Sequence, residues 1–307
     1  MKPRITVGTC VRNGAATLAE AVESVLAQDY PHELMEIIFV DDGSTDNSNE
    51  IMKRYVGKTD MRLRVFSQPW RGLGASRQLI VNAAEGEYIA WVDCDMILPT
   101  DHVRKQIDFM DRNPKVGIAK ARYGLSKEDN AVAILENIPF VLHDSRNGSL
   151  DLKLPGTGGA VFRVEAIRKV GGFDSKLVGV GEDQDAAFRV KSGGWLIMRS
   201  PAIFYEKRVN TWKNLWGKWF WYGQGDHQLY QKNRNVFSLF RMNPLAGVVN
   251  GLLQVSDAYR LTRRISVLLL PFHSAFRMFA WCLGFASGNI NLGSQARDKD
   301  SPHLSPN

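Results

Sequence analysis

Short strand-like and helix-like patterns alternate along the N-terminal part of the chain, and this alternation restricts the fold more than any other feature. The strand-like segments are residues 5–11, 35–40, 63–67 and 88–92, and the helix-like segments are residues 17–28, 46–55 and 74–84. Strands that alternate with helices form a mainly parallel sheet with helices on both faces. The sequence therefore predicts an α/β domain built on a Rossmann-like sheet.

Two acidic clusters directly follow predicted strands. They are Asp41-Asp42-Gly43-Ser44 and Asp93-Cys94-Asp95. In open α/β sheets, ligands bind at the carboxyl ends of the strands. Two carboxylates one residue apart repel each other unless a cation lies between them, and their oxygens suit Mg²⁺ or Mn²⁺. For each cluster taken alone, an ordinary solvated turn is the alternative.

A third acidic cluster, Gly181-Glu182-Asp183-Gln184-Asp185, precedes a helix-like segment. A carboxylate beside an acceptor hydroxyl can take the proton of that hydroxyl as it attacks a sugar. The alternative is that these acids complement the positive end of the helix dipole. Both interpretations can hold for different members of the cluster.

The three clusters occur in an order that resembles the family-2 inverting glycosyltransferases of the membrane-associated type, which have the GT-A fold. The matching motifs are residues 11–14, 24–31, 36–46, 72–77, 84–95, 156–163, 170–174 and 181–189. The resemblance covers roughly residues 4–205. Motifs in this order are far more specific than any one of them.

The resemblance implies a role for each matching residue. The nucleotide and donor would be bound by Thr9, Val11, Asn13, Asp41, Asp42, Arg77, Asp93 and Cys94. The metal, Mg²⁺ or Mn²⁺, would be held by Asp95 and Asp93, and Gly158 and Gly159 would shape the floor where donor sugar and acceptor meet. Asp183 would be the catalytic base, with Glu182 beside it.

Two positions depart from the family pattern. Many relatives carry a histidine after the last core strand, where this chain has Glu206. Either Glu206 serves as an oxygen ligand to the metal in its place, or the metal has fewer protein ligands. Arg12 stands where an aromatic residue is frequent beside the nucleotide base. Its side chain would either reach a phosphate or face solvent.

The function that the resemblance implies is inverting sugar transfer by one direct displacement. The donor would be a nucleotide-diphosphate sugar, with uridine favoured, and the acceptor a lipid-linked saccharide or polysaccharide precursor. Transfer to a polyprenyl phosphate is a close alternative, because that acceptor is already anionic. An inactive nucleotide-sugar-binding scaffold at a membrane is an alternative of another class, but the presence of Asp93, Asp95 and Asp183 argues against it.

The composition changes after Phe204 and predicts a second region, residues 206–290. One apolar stripe at helical spacing contains Trp212, Leu215, Trp216, Trp219 and Phe220, and a second contains Ile265, Leu268, Leu269, Phe272, Phe276 and Phe279. With a net charge of +7, aromatic and basic segments of this kind are typical of helices in an anionic membrane surface. Packing on the catalytic domain or a homodimer seam is the alternative, and the donor motifs argue against nucleic acid.

The remaining predictions concern boundaries and location. Residues 1–205 would form the catalytic domain, and residues 291–307 a disordered tail. We expect no membrane-spanning helix, because the apolar stretches around residues 242–256 and 265–276 fall short of the roughly 18 residues needed. The three cysteines lack disulfide or metal spacing, which favours the cytoplasm. Together with the aromatic and basic helices, this predicts a peripheral position on the cytoplasmic face of a membrane.

Overall fold

The computed structural model describes residues 2–126, 128–146, 154–236 and 243–288. The chain divides into two compact units. The first contains residues 1–124, 147–178 and 182–206, and the second contains residues 125–146, 179–181 and 207–307. Residues 125–146, which the sequence assigned to the catalytic domain, therefore group with the helices of the second unit. The predicted tail, residues 291–307, lies outside the described residues.

The first unit carries all the strands found in the described residues. Its strands are β1 (Ile5–Val11), β2 (Met35–Asp42), β3 (Arg62–Gln68), β4 (Tyr88–Trp91), β5 (Met96–Ile97), β6 (Val116–Tyr123), β7 (Ala160–Arg163) and β8 (Leu196–Glu206). Its α-helices are α1 (Ala15–Leu26), α2 (Ser48–Arg54), α3 (Leu73–Ala83), α4 (His102–Arg112), α6 (Val164–Lys169) and α7 (Glu182–Ser192). A 3₁₀ turn, His32–Leu34, precedes β2.

The eight strands form one sheet in the order β3-β2-β1-β4-β7-β6-β8-β5. The half formed by β3, β2, β1 and β4 is parallel, as the alternating pattern predicted. The other half is mixed, because β7 runs antiparallel to both β4 and β6, and β5 runs antiparallel to β8. The fold class is thus α/β as predicted, with a parallel sheet in its first half only.

Strand β2 is buried along its whole length, which explains why it reads as a continuous apolar run. Successive side chains point to opposite faces of the sheet. Phe39 accordingly lies in the same core cluster as Leu18 of α1, whereas Ile38 lies in a second cluster with Ile80 of α3. Helices therefore cover both faces of the sheet, and the carboxyl ends of the strands remain the place for polar side chains.

The second unit is helical in its described residues. It contains α5 (Ala131–Arg146), α8 (Trp212–Lys232), α9 (Pro244–Thr262), a 3₁₀ turn (Ile265–Leu269) and α10 (Leu270–Ser287). Glycines allow close helix approach, since a Cβ at Gly223 or Gly284 would run into the backbone of Trp281 or Phe220 on the facing helix. The helices α8 and α10 thus form a tightly packed pair.

The predicted membrane stripe on α8 is corrected in part. Leu215 and Trp219 are buried within the second unit, and the indole Nε1 of Trp219 donates a hydrogen bond of 3.0 Å to the buried carboxylate of Glu136. A tryptophan whose N–H is bonded inside the protein fills the core rather than facing lipid. The spacing alone could not separate a core stripe from an interfacial one.

Among the described residues, one segment has the length and composition of a membrane span, Ile265–Ser287. It joins the 3₁₀ turn to α10 and is longer than the apolar stretch that the sequence suggested. Within its most apolar window, 44% is buried inside the protein.

Candidate active site

The turn after β2 is organised by Asp42. One carboxylate oxygen accepts hydrogen bonds from Gln68 Nε2 at 2.8 Å and from the Arg71 amide at 2.9 Å, and the other accepts from the Gly72 amide at 2.8 Å. The side chain is 5% exposed. A carboxylate offers about four acceptor positions. Three of those of Asp42 are already occupied by donors from the end of β3 and the segment that follows it. Asp42 therefore fixes the loop that leads into α3.

Asn13 joins the loops after β1 and β2, and Asp41 orders the second of them. Asp41 accepts hydrogen bonds from the Ser44 amide at 3.1 Å and from Asn49 Nδ2 at 2.9 Å. The side-chain oxygen of Asn13 accepts from the Thr45 amide at 2.7 Å, while the backbone amide of Asn13 donates to Ser44 Oγ at 3.0 Å. These bonds hold the loop after β1 against the loop after β2, at the predicted ligand edge of the sheet.

The other predicted donor residues near β1 have little exposed side chain. Thr9 and Val11 are buried in the strand, so only their backbone is suited to contact a ligand. The thiol of Cys94 lies against Gly14, where an added Cβ would come within 2.7 Å of the sulfur. Burial raises the pKa of the Cys94 thiol well above its usual range, so this cysteine is a packing residue rather than a thiolate.

Arg12 does not simply face solvent. Its guanidinium lies over the ring of Trp70, 5.0 Å from the centroid. Trp70 follows β3, and its backbone packs against Gly43. Gly43 has a positive φ of 73°, and an added Cβ there would lie 2.7 Å from the Trp70 amide nitrogen, so the position has no room for a side chain. An aromatic face is therefore present beside Arg12, but another loop supplies it. No local pattern in the sequence pointed to Trp70.

Arg77 of α3 lies at the centre of an acidic cluster. Its guanidinium forms a close ion pair with Glu182, lies 3.6 Å from an Asp93 oxygen and 4.0 Å from an Asp183 oxygen. Arg77 and Glu182 are both buried. The structure thus brings together four predicted site residues from three separate stretches of chain. Arg77 acts here as the partner of carboxylates.

A glycine-rich loop, residues 156–159, borders this cluster. The Thr157 amide donates to Asp183 Oδ2 at 3.2 Å. A Cβ at Gly158 would come within 2.8 Å of Asp93 Oδ2, so glycine keeps this carboxylate accessible from the loop. Gly159 has a positive φ of 67° and packs on Phe204. Gly158 therefore borders the acidic cluster, and Gly159 is the residue that packs against Phe204 without a side chain.

Lys120 is a site residue that the sequence analysis missed. Its Nζ donates to the carbonyl oxygens of Gly156 and Gly158, the first at 3.2 Å. It is 7% exposed and lies near the faces of Tyr123 and Phe204. The available signal was a lysine flanked on both sides by the buried apolar residues of strand β6, since buried lysines usually have a specific partner.

The electrostatics of the cluster centre on Asp93. Desolvation by the surrounding residues raises the pKa of the Asp93 carboxyl although its side chain is 42% exposed; Glu206 and Asp183 raise the pKa further, and the charges of Arg77 and Lys120 oppose the rise. Excess negative potential at a carboxylate is reduced when a cation binds nearby. Asp93 is therefore placed where an added positive charge would be favourable.

Asp95 and Glu206 are positioned by a short strand pairing. Met96 of β5 pairs with Glu206 of β8, so the residue after Asp95 lies directly opposite Glu206. Within the described residues, no group of three or more His, Cys, Asp or Glu side chains is arranged to hold a metal ion. Mg²⁺ in nucleotide sites is usually held by one or two carboxylates together with substrate phosphates. Asp95, Asp93 and Glu206 fit that arrangement in donor chemistry.

Comparison with known proteins agrees with this architecture. The mannosyltransferase PcManGT from Pyrobaculum calidifontis, solved in complex with GDP-Man and Mn²⁺, has a TM-score of 0.68 and 18% sequence identity, over 94% of this chain and 88% of that one. At this identity the likeness shows the fold alone. The fold is that of the GT-A glycosyltransferases.

Sequence relatives identify the family. The family description "Glycosyl transferase family 2" matches residues 6–171. An uncharacterized glycosyltransferase of Haemophilus influenzae is 36% identical over 112 residues, which are 36% of this chain and 44% of that protein. The poly-β-1,6-N-acetyl-D-glucosamine synthase of Staphylococcus epidermidis is 26% identical over 233 residues, 71% of this chain and 53% of the synthase. The alignments thus span about half the length of these relatives.

The chain belongs to glycosyltransferase family 2. The resemblance to family 2 seen in the sequence motifs is thereby confirmed.

Proposed function

We propose that this protein transfers a sugar from a nucleotide-diphosphate donor to a lipid-linked saccharide or polysaccharide precursor, with inversion at the anomeric carbon, at the cytoplasmic face of a membrane. The observation that carries the proposal is the cluster of Asp93, Glu182 and Asp183 around Arg77 beside the glycine-rich loop. Two acids on the first turn of α7 thereby meet Asp93, the acid that follows β4.

In this mechanism Asp183 accepts the proton of the acceptor hydroxyl. Its Oδ2 is held by the Thr157 amide, and its Oδ1 accepts from the Gln184 amide at 2.8 Å. A carboxylate held by backbone donors keeps its orientation, which is what proton transfer at a fixed geometry requires. Glu182 keeps Arg77 in place and, unlike Asp183, has side-chain oxygens with almost no solvent access.

The donor would lie along the carboxyl edge of β1, β2 and β4. Asp41, Asp42 and Asn13 would form the wall for the nucleoside, and Arg12, which lies over Trp70, would offer a cation beside that wall for a phosphate. A divalent cation held by Asp95, Asp93 and Glu206 would offset the negative charge that develops on the leaving diphosphate. Support for Mn²⁺ and for a nucleotide sugar comes from the structural neighbour solved with GDP-Man and Mn²⁺.

A polysaccharide-type acceptor is supported by the relatives. The synthase of Staphylococcus epidermidis is named for a polysaccharide product, and it aligns with 71% of this chain. The uridine donor remains the favoured choice from the family resemblance, whereas the neighbour carries a guanosine donor. The base is therefore the first property to measure.

The test is a thermal-shift screen of nucleotide sugars with Mn²⁺, followed by transfer assays with the stabilising donor. A ligand that binds only the folded state raises the midpoint by mass action. We expect one donor class to stabilise the protein, and its sugar to appear on a lipid-linked acceptor with inverted configuration. Donor binding without turnover on any acceptor would instead support the scaffold alternative.

Polyprenyl phosphate is the acceptor to compare. Its phosphate oxygen is already anionic and needs no base, so Asp183→Asn should leave transfer to it almost unchanged. With a hydroxyl acceptor the same variant should lose activity. Equal loss on both acceptors would contradict the role of Asp183 as a base.

A further inference from the structure

The described surface of the second unit carries an unusual number of exposed apolar side chains between residues 243 and 288. They are Leu245, Val249, Leu252, Leu253, Tyr259, Leu261, Ile265, Leu268, Leu269, Phe272, Phe279 and Leu283. The exposed fraction is 78% for Leu245 and 75% for Ile265. Single exposed apolar residues need no explanation, but a concentration of them in one region marks an interaction surface. We call these residues the apolar surface.

Helix α9 exposes its large aliphatic side chains and buries its small and polar ones. Leu245, Val249, Leu252 and Leu253 recur at helical spacing and are exposed, whereas Gly247, Gly251, Gln254 and Ala258 are buried. The glycines allow close packing, since a Cβ at Gly251 would meet the backbone of Pro271 and one at Gly247 the backbone of Ser274. The small and polar residues thus face the protein, and the large aliphatic ones face outward.

The same division continues in α10. Phe272, Phe279 and Leu283 are exposed, while His273, Arg277 and Trp281 are buried. Arg277 lies 3.4 Å from the carboxylate of Glu136, and Trp281 Nε1 donates to Asp226 at 2.7 Å. These buried polar contacts fix which side of α10 faces the protein. They are also inconsistent with the segment Ile265–Ser287 leaving the unit to cross a bilayer alone.

The charges around the apolar surface are mainly positive. Between residues 243 and 288 the sequence contains one acid, Asp257, and four arginines. Arg277 is buried, which leaves Arg260, Arg263 and Arg264 at the end of α9 and the start of the 3₁₀ turn. Arg264 also reaches Asp129 at 2.6 Å, and Arg260 lies 3.9 Å from Asp257. Arginines beside exposed aliphatic side chains match the headgroup and acyl layers of an anionic membrane.

The aliphatic composition of the apolar surface favours a lipid partner over a protein partner. Nine of the twelve side chains of the apolar surface are Leu, Ile or Val. Energetically important residues of protein interfaces are mostly Trp, Tyr and Arg, and Leu and Val are under-represented among them.

We propose that the apolar surface lies in the interface of a bilayer that contains anionic lipids, bound there by α9, the 3₁₀ turn and α10 without crossing it. The proposal rests on the membrane location in the proposed function and assigns the surface responsible, but its vesicle test does not depend on the identity of the donor or acceptor.

The experiment is co-sedimentation of the full chain with vesicles of phosphatidylcholine alone or mixed with phosphatidylglycerol. We expect binding to the mixed vesicles that falls as salt is raised. Leu252→Glu combined with Leu253→Glu should weaken binding more than about tenfold, because two apolar side chains leave the acyl layer. The matched control is Val56→Glu combined with Leu196→Glu, two exposed apolar positions of the first unit, which should bind like wild type.

The charge contribution is tested by Arg260→Gln combined with Arg263→Asn. Asparagine is chosen at position 263 because it tolerates the positive φ of 57° that Arg263 adopts. Each arginine near an anionic surface should contribute roughly fivefold in binding. Circular dichroism and the thermal midpoint verify that every variant is folded. Unchanged binding in the Leu252/Leu253 variant would overturn the proposal.

Two further results would also overturn it. A dimer that the Leu252/Leu253 variant dissociates, without any vesicle binding by the wild type, would identify a second copy as the occupant. Protein that stays with the membrane after alkaline carbonate extraction would show insertion across the bilayer instead of interfacial binding. Release by carbonate, together with the salt dependence, supports the interfacial position.

Discussion

Arg77 and Glu182 form a buried ion pair that joins α3 to the first turn of α7. Arg77 is 7% and Glu182 1% exposed at the side chain. Because Glu182 directly precedes Asp183, the pair determines where Asp183 lies relative to Asp93 and to the glycine-rich loop. The acid beside the base is therefore a positioning residue.

We predict that Glu182→Gln destabilises the protein by about 3 kcal/mol, since removing one partner leaves a buried charge poorly compensated. The value should lie at the low end of the usual range because Asp93 and Asp183 remain near Arg77. Urea unfolding measures the change. Glu50→Gln, at an exposed position of α2, is the control and should change stability by less than about 0.5 kcal/mol. A Glu182→Gln effect as small as the control would show that the pair is not important for stability.

Asp183→Asn should lower kcat by roughly 10²- to 10⁴-fold on a hydroxyl acceptor, the usual contribution of a general base. Donor affinity should stay near the wild-type value, since the change keeps the size of the side chain and one of the two backbone hydrogen bonds that Asp183 accepts. Initial rates with saturating donor give kcat, and the thermal shift with donor gives binding. Asp185→Asn is the matched control, because Asp185 lies in the same turn but pairs with Arg189 at 2.8 Å. Equal loss of kcat in both variants would contradict the assignment.

Lys120→Met should leave the protein folded but lower kcat/KM by on the order of 10²-fold, because the glycine-rich loop loses the bonds that fix it beside Asp93. The methionine has a similar length and keeps the contacts with Tyr123 and Phe204. Lys115→Met, at an exposed position just before β6, serves as the comparison. Should both lysine variants retain wild-type kcat/KM, the loop would not need Lys120.

The parallel half of the fold was predictable from the sequence because local patterns suffice there. Strands β1, β2 and β4 are mostly apolar and β3 contains a shorter apolar stretch, and a helix separates each strand from the next, which is enough to predict parallel strands. Their order in the sheet, in which β4 pairs with β1, is not read from the order along the chain. Strand β7 could not be placed in this way. It lies between β4 and β6 and runs antiparallel to both, and only long-range pairing decides that.

The acidic members of the candidate site were predictable, and their partners were not. Asp93 and Asp183 are marked by their positions after a strand and before a helix. Lys120, in contrast, is one residue in a buried strand, and Trp70 is one residue in a loop. Both belong to the site because they contact distant segments. Lys120 contacts the glycine-rich loop, and Trp70 contacts Gly43.

The stability of the protein should fall between pH 7.5 and pH 5 in part because of His102. Burial lowers the pKa of His102 to about 4, and its Nδ1 lies 2.7 Å from the Ile203 carbonyl oxygen, so the folded ring stays neutral and donates that bond. The unfolded ring takes up a proton near its ordinary pKa of about 6.5. Between those two values the unfolded state binds more protons, so stability is lost as the pH falls from about 6.5 towards 4. From this residue alone we expect a loss of about 2 kcal/mol at pH 5.

The variant His102→Asn isolates that contribution, because an asparagine Nδ2 can donate to the same carbonyl but does not titrate. Urea unfolding of wild type and variant at pH 7.5 and pH 5 gives the comparison. The variant should show a loss about 2 kcal/mol smaller than that of the wild type, while other groups, including the buried His273, keep their own pH dependence in both proteins. Identical pH dependence in the two proteins would mean that His102 is not kept neutral by the fold.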